Sequence, residues 1–127
     1  MKKIIFLLVG ALLLSGCMAT PSLTETTSAN YGQLPSDYKE MIQNDISYAL
    51  KDPDSAKYEF GEPRKAYLQG GIAENFKMYY GWVIPVSVNA KNSYGGYTGF
   101  KKRYYMFSNG QIFDATLKFN SGYAKPI

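Results

Sequence analysis

The chain has 127 residues, 14 Lys and Arg against 10 Asp and Glu, a formal net charge of +4, one cysteine and no histidine. That length holds one domain and not two, and the missing histidine excludes serine-histidine and cysteine-histidine nucleophiles, imidazole metal sites and the usual proton shuttle. A single thiol excludes an internal disulfide, so the core rests on packing, to which 12 Tyr, 7 Phe and 1 Trp bring large buried areas with polar tips.

The first element is a leader. Lys2 and Lys3 give a positive start, Ile4 to Leu14 is apolar, and the small residues Ser15 and Gly16 precede Cys17. As a helix the apolar run reaches only ~16 Å, about half of a ~30 Å hydrocarbon core, so it is too short to span a membrane. The segment resembles the bacterial lipoprotein signal peptide, and Leu14-Ser15-Gly16-Cys17 is a full match to the lipobox of that family. The resemblance covers residues 1–17. It implies cleavage between Gly16 and Cys17, a thioether-linked diacylglycerol on Cys17 and a fatty acyl group, palmitate in type, on its amino terminus. Two or three acyl chains anchor a protein durably where one does not. Met18 stands where an aspartate would imply inner-membrane retention, so the resemblance implies the outer membrane, facing the periplasm. Loss of residues 1–16 leaves 111 residues and lowers the net charge to +2.

Residues 17–35 read as a lipidated flexible tether. Thr20-Pro21-Ser22, Thr26-Thr27-Ser28 and Asn30-Tyr31-Gly32 are polar and breaker-rich, without an apolar period. A flexible segment of that length has a root-mean-square reach of roughly 20 to 25 Å. The globular domain is expected over residues 36–127. It opens with an amphipathic helix over residues 37–51, capped by Ser36, with Tyr38, Met41, Ile42, Ile46, Ala49 and Leu50 on one stripe and Asp52-Pro53 as its stop. The helix has too few bases for an anionic membrane surface and is expected to pack on a sheet.

Then the period changes to two. Lys57 to Phe60 and Arg64 to Gln69 read as strand pieces separated by Gly61 and Pro63, with Gly70-Gly71 as a turn. A stronger strand runs from Tyr79 to Lys91, with Trp82, Ile84, Val86, Val88 and Ala90 on one face; Pro85 places it at an edge or a bulge. Lys102 to Phe107 follows, then Asn109-Gly110, a type I′ hairpin turn that sets Phe107 against Ile112, Met106 against Phe113 and Tyr105 against Asp114. The last strand is expected to continue through Phe113, Ala115, Leu117 and Phe119. The expected fold is therefore α+β: one N-terminal amphipathic helix packed on an antiparallel sheet of about four strands.

Chemistry is sparse. Asp52-Pro53-Asp54 lacks the spacing of a calcium loop, and nothing aligns Glu59 or Glu62 with Asp114 as a two-carboxylate pair. No enzyme activity, metal, cofactor, nucleic acid or small-molecule substrate is expected. The one constellation with binding character is the segment NAKNSYGGYTGFKKR. There Asn89, Lys91, Asn92, Tyr94, Tyr97, Phe100, Lys101, Lys102 and Arg103 combine glycine turns, aromatic rings and bases. Charge is polarised in the same sense. Residues 37–62 hold seven acids and three bases, residues 91–127 six bases and one acid. Residues 52–110, with DPDSAKYEF and NAKNSYGGYTGF, resemble a recurrent type of small bacterial exported or lipid-anchored protein, a resemblance that carries no assigned activity. The expected role is a lipid-anchored cell-envelope protein of binding or accessory type, contacting another envelope protein or assembly through this Gly/Tyr-rich basic hairpin. The alternative is a structural envelope component that binds peptidoglycan through the same loop.

Overall fold

A computed structural model describes residues 18–127, so the expected leader, Gly16 and Cys17 lie outside the described residues. The molecule is organised on one long strand. Twelve residues, Met78–Asn89, with Trp82, Ile84, Val86 and Val88 at every second position, form β3. On one side β3 pairs with β4 (Lys101–Ser108); on the other it pairs end to end with β1 (Lys57–Phe60) and β2 (Arg64–Gln69). β5 (Gln111–Asp114) extends the sheet beyond β4, and β6 (Ala124–Pro126) extends it beyond β2, all antiparallel. The fold is α+β, with six strands where about four were expected. The difference has two sources. Gly61 and Pro63 divide β1 from β2 although both lie along β3, and the three residues of β6 are too few to show a period.

Pro85 is not at an edge. It sits in the central strand, where its carbonyl accepts from the Gly61 N–H at 2.8 Å. An antiparallel residue turns its N–H and C=O to the same neighbour, so the donor that proline lacks would face the break between β1 and β2. Farther along β3, a Cβ on Gly81 would overlap the Phe107 carbonyl of β4, so the two backbones approach there as only glycine permits.

One face of the sheet carries Ile84, Val86 and Val88 of β3 with Tyr105 and Phe107 of β4, and α2 (Tyr38–Ser47) buries Ile42 and Ile46 against them. Complete burial of each isoleucine contributes about 1.5 to 3 kcal/mol of transfer free energy. Tyr105 donates its buried hydroxyl to Asp45 Oδ2 at 2.6 Å; burial first, and that bond second, push its pKa above the ordinary tyrosine value. The helix starts after Asp37, whose side chain makes no capping bond, and ends four residues before the expected stop at Lys51, in a tightened turn through Ala49 and Leu50.

The remainder of that face is covered by the segment expected to be a flexible tether. Residues 18–35 are a folded strap. Ser22 and Glu25 form a reciprocal capping box that opens α1 (Leu23–Ser28). Tyr31 is buried, edge-on to Tyr80 at 5.8 Å, with its hydroxyl bonded to the Thr26 carbonyl. The Trp82 indole donates to the Gly32 carbonyl at 3.0 Å, and the Ala19 N–H donates to the buried Gln69 Oε1 at 3.0 Å. One well-placed aromatic ring and a local capping box outweigh a composition that otherwise favours disorder.

The opposite face buries Leu68, Met106, Ala115 and Ala124, with Tyr79, Phe113 and Phe119 packed around them. The Asn109-Gly110 turn takes positive φ at both residues, and β4 and β5 pair in the expected register. The expected continuation of β5 does not form. Asp114 Oδ1 accepts from the Thr116 N–H at 2.9 Å, turning the chain into α3 (Thr116–Asn120), which stacks Phe119 on Tyr104 at 4.8 Å and leaves Leu117 exposed.

Candidate functional site

The β3–β4 connection, residues 90–100, is built by its asparagines. Asn92 Oδ1 accepts from the Tyr94 N–H at 2.9 Å and the Gly96 N–H at 3.1 Å, while the Asn92 N–H donates to the Gly96 carbonyl. Asn89 Oδ1 takes the Gly99 N–H at 3.0 Å. Gly95 and Gly99 supply the positive φ that these closures require. Asn89 and Asn92 are thus framework residues, and the loop conformation is fixed by side-chain bonds to backbone donors.

The rest of the expected constellation divides four ways. Tyr94 stands at the tip with 96% of its surface exposed, and Phe100 is also exposed. Tyr97 folds back: its hydroxyl donates to the Ser55 carbonyl at 3.0 Å, and the ammonium groups of Lys57 and Lys91 lie 4.6 and 5.6 Å from its ring centre. The Lys91 N–H is itself held by Ser55 Oγ at 2.8 Å. Lys91, Asn92, Lys101 and Arg103 line a cleft of about 250 Å³ between the hairpin and the end of α2, with Leu50, Val88 and Ala90 contributing apolar wall. Lys102 does not join them. Strand alternation turns it to the other face, over the Tyr104 ring and beside a cavity of about 330 Å³ that also holds Glu59 and Ser87.

Lys51 is the residue that sequence reasoning missed. It follows α2, forty residues before the hairpin, yet lines the same cleft and adds a fourth cation to Lys91, Lys101 and Arg103; no acid lines it. Only the packing of α2 on the sheet brings Lys51 there. Arg103 is partly committed, because its Nη1 bonds Asp114 Oδ2 at 3.1 Å. That bond and the one to Thr116 occupy Asp114.

Among the described residues no group of three or more His, Cys, Asp or Glu side chains could hold a metal ion. The cleft offers cations over apolar wall, which suits an acidic surface. No family model, curated protein or solved structure matches this chain. The functional reading therefore rests on residues and geometry.

Proposed function

We propose that this chain is a lipid-anchored cell-envelope protein of binding or accessory type, held at the outer membrane on its periplasmic side by diacylglycerol and fatty acyl groups on Cys17. Its working surface is the hairpin 90–100 with the adjoining cationic cleft, and its partner is another envelope protein or assembly that presents acidic residues. The observation that carries this reading is Tyr94, fully exposed at the tip of a loop whose backbone is already fixed by Asn89 and Asn92. A preordered loop loses little conformational freedom on binding, and tyrosine is among the residues that most often anchor interfaces. Cations beside it speed and orient encounter with an acidic partner.

The test is photo-crosslinking from position 94 in the anchored protein. Lys101→Glu should remove the crosslinked partner while leaving the melting temperature unchanged, and Cys17→Ala should reduce capture by releasing the protein from the membrane. Capture that persists in Lys101→Glu overturns the assignment of this surface. Co-sedimentation with purified sacculi that salt and Lys101→Glu both abolish would assign the cleft to peptidoglycan instead.

A further inference from the structure

The other end of β3 carries a second exposed patch. Residues 70–77 connect β2 to β3 through a single 3₁₀ turn, Ile72–Glu74, and present Ile72 and Phe76 to solvent at 82% and 53% exposure. Phe76 adopts φ 54°, in the left-handed region that bulky side chains rarely enter, directly after Asn75 at φ 53°. The strained position displays an aromatic ring with about half of its surface exposed. Lys77 and Lys118 lie close by, each over a tyrosine ring, Tyr79 and Tyr123 respectively. Glu74 is the acid of this loop, and Asp114 lines a cavity together with it and Lys118. The Tyr79 hydroxyl first, then the Gly71 N–H, hold the Glu74 pKa low, with smaller contributions from Lys118 and Lys77.

The strap begins at this same end. Ala19 is bonded to Gln69, the last residue of β2, and the Met18 sulfur lies within van der Waals reach of a Cβ built on Gly122. The Gln69 N–H in turn donates to the Tyr123 carbonyl. Cys17 precedes Ala19 by two residues, a distance of at most about 7 Å along the chain. No helix among the described residues is long and apolar enough to cross a membrane. An acyl chain on Cys17 therefore brings the bilayer to this end of the domain.

We propose that the end formed by residues 70–77 and 121–123 seats on an anionic bilayer, with Ile72 and Phe76 entering the headgroup layer and Lys77 and Lys118 meeting lipid phosphates. The inference rests on lipidation of Cys17. Its consequence is a fixed orientation: β3 runs for about 36 Å away from this end, so the hairpin 90–100 faces away from the membrane. Partially inserted apolar and aromatic side chains with flanking lysines suit a membrane surface on physical grounds.

Since acylation consumes the one native thiol, a new cysteine gives a unique label in the lipidated chain. Ile72→Cys, Phe76→Cys and Tyr94→Cys would each carry an environment-sensitive fluorophore. Each protein would be reconstituted in vesicles of phosphatidylethanolamine and phosphatidylglycerol containing spin-labelled lipid. Labels at 72 and 76 should be quenched several-fold more than the label at 94. Equal quenching at the three sites in protein shown by intact mass to be diacylglyceryl-modified overturns the seating while leaving the anchor in place. A mature chain without the lipid mass overturns both.

Discussion

The two loops at the ends of β3 solve opposite problems. At 90–100 positive φ falls on Gly95 and Gly99, and asparagine side chains close the turns, so the backbone is relaxed and Tyr94 is displayed at little cost. At 70–77 positive φ falls on Asn75 and Phe76, and the aromatic ring is exposed by a backbone that glycine would adopt more easily. The face between them is divided in the same way. Near the hairpin it is covered by α2, a regular helix whose stripe is visible in sequence; near residues 70–77 it is covered by the strap, whose hold rests on a few contacts. A relaxed loop above a strong core suits repeated encounter with a partner, whereas a strained loop above a lightly fastened cover suits an end supported by something outside the chain.

The contrast can be broken most forcefully at the core. Ile46→Ala should cost about 2 to 5 kcal/mol in urea-induced unfolding, as a global loss, because the cavity opens beneath α2 where Ile46 is almost wholly buried. Tyr31→Ala should cost less, about 2 kcal/mol. Hydrogen exchange should locate that loss: amides of Lys65 to Gln69 and Tyr80 to Trp82 should exchange faster, while those of the hairpin strands keep their protection. Uniform acceleration would show that the strap and α2 form one cooperative unit. The smallest effects should have opposite signs in the two loops. Gly95→Ala should destabilise by about 1 kcal/mol, since the position requires positive φ. Phe76→Asn should be neutral or stabilising by up to about 1 kcal/mol, as asparagine tolerates that geometry better. Thermal melts of the two variants side by side check the signs.

Much of this was legible where one force dominates. The Asn109-Gly110 turn and its register follow from turn chemistry, and the apolar stripe of β3 follows from Trp82, Ile84, Val86 and Val88 at every second position. Two of the misreadings come from side-chain contacts that composition and period do not reveal. Asp114 bonding Thr116 ends β5 and starts α3 within a sequence that still alternates. Ser22 with Glu25, and Tyr31 with Tyr80, fold a segment whose threonines and serines point to disorder. At the hairpin the residue types were legible but their division was not. Lys101, Lys102 and Arg103 are adjacent in sequence, and strand alternation separates Lys102 from the other two. Lys51 reaches the cleft only through the tertiary packing of α2.

The strap also redraws the smallest part of this chain that can stand in water. A fragment begun at Ser36, where the change of composition invites a cut, would uncover Tyr80, the Trp82 indole and the Gln69 carboxamide on a sheet face already rich in aromatic side chains. Such fragments would associate through that bared face. Residues 18–35 serve the sheet as its lining, and a recombinant fragment that preserves the domain must carry them along.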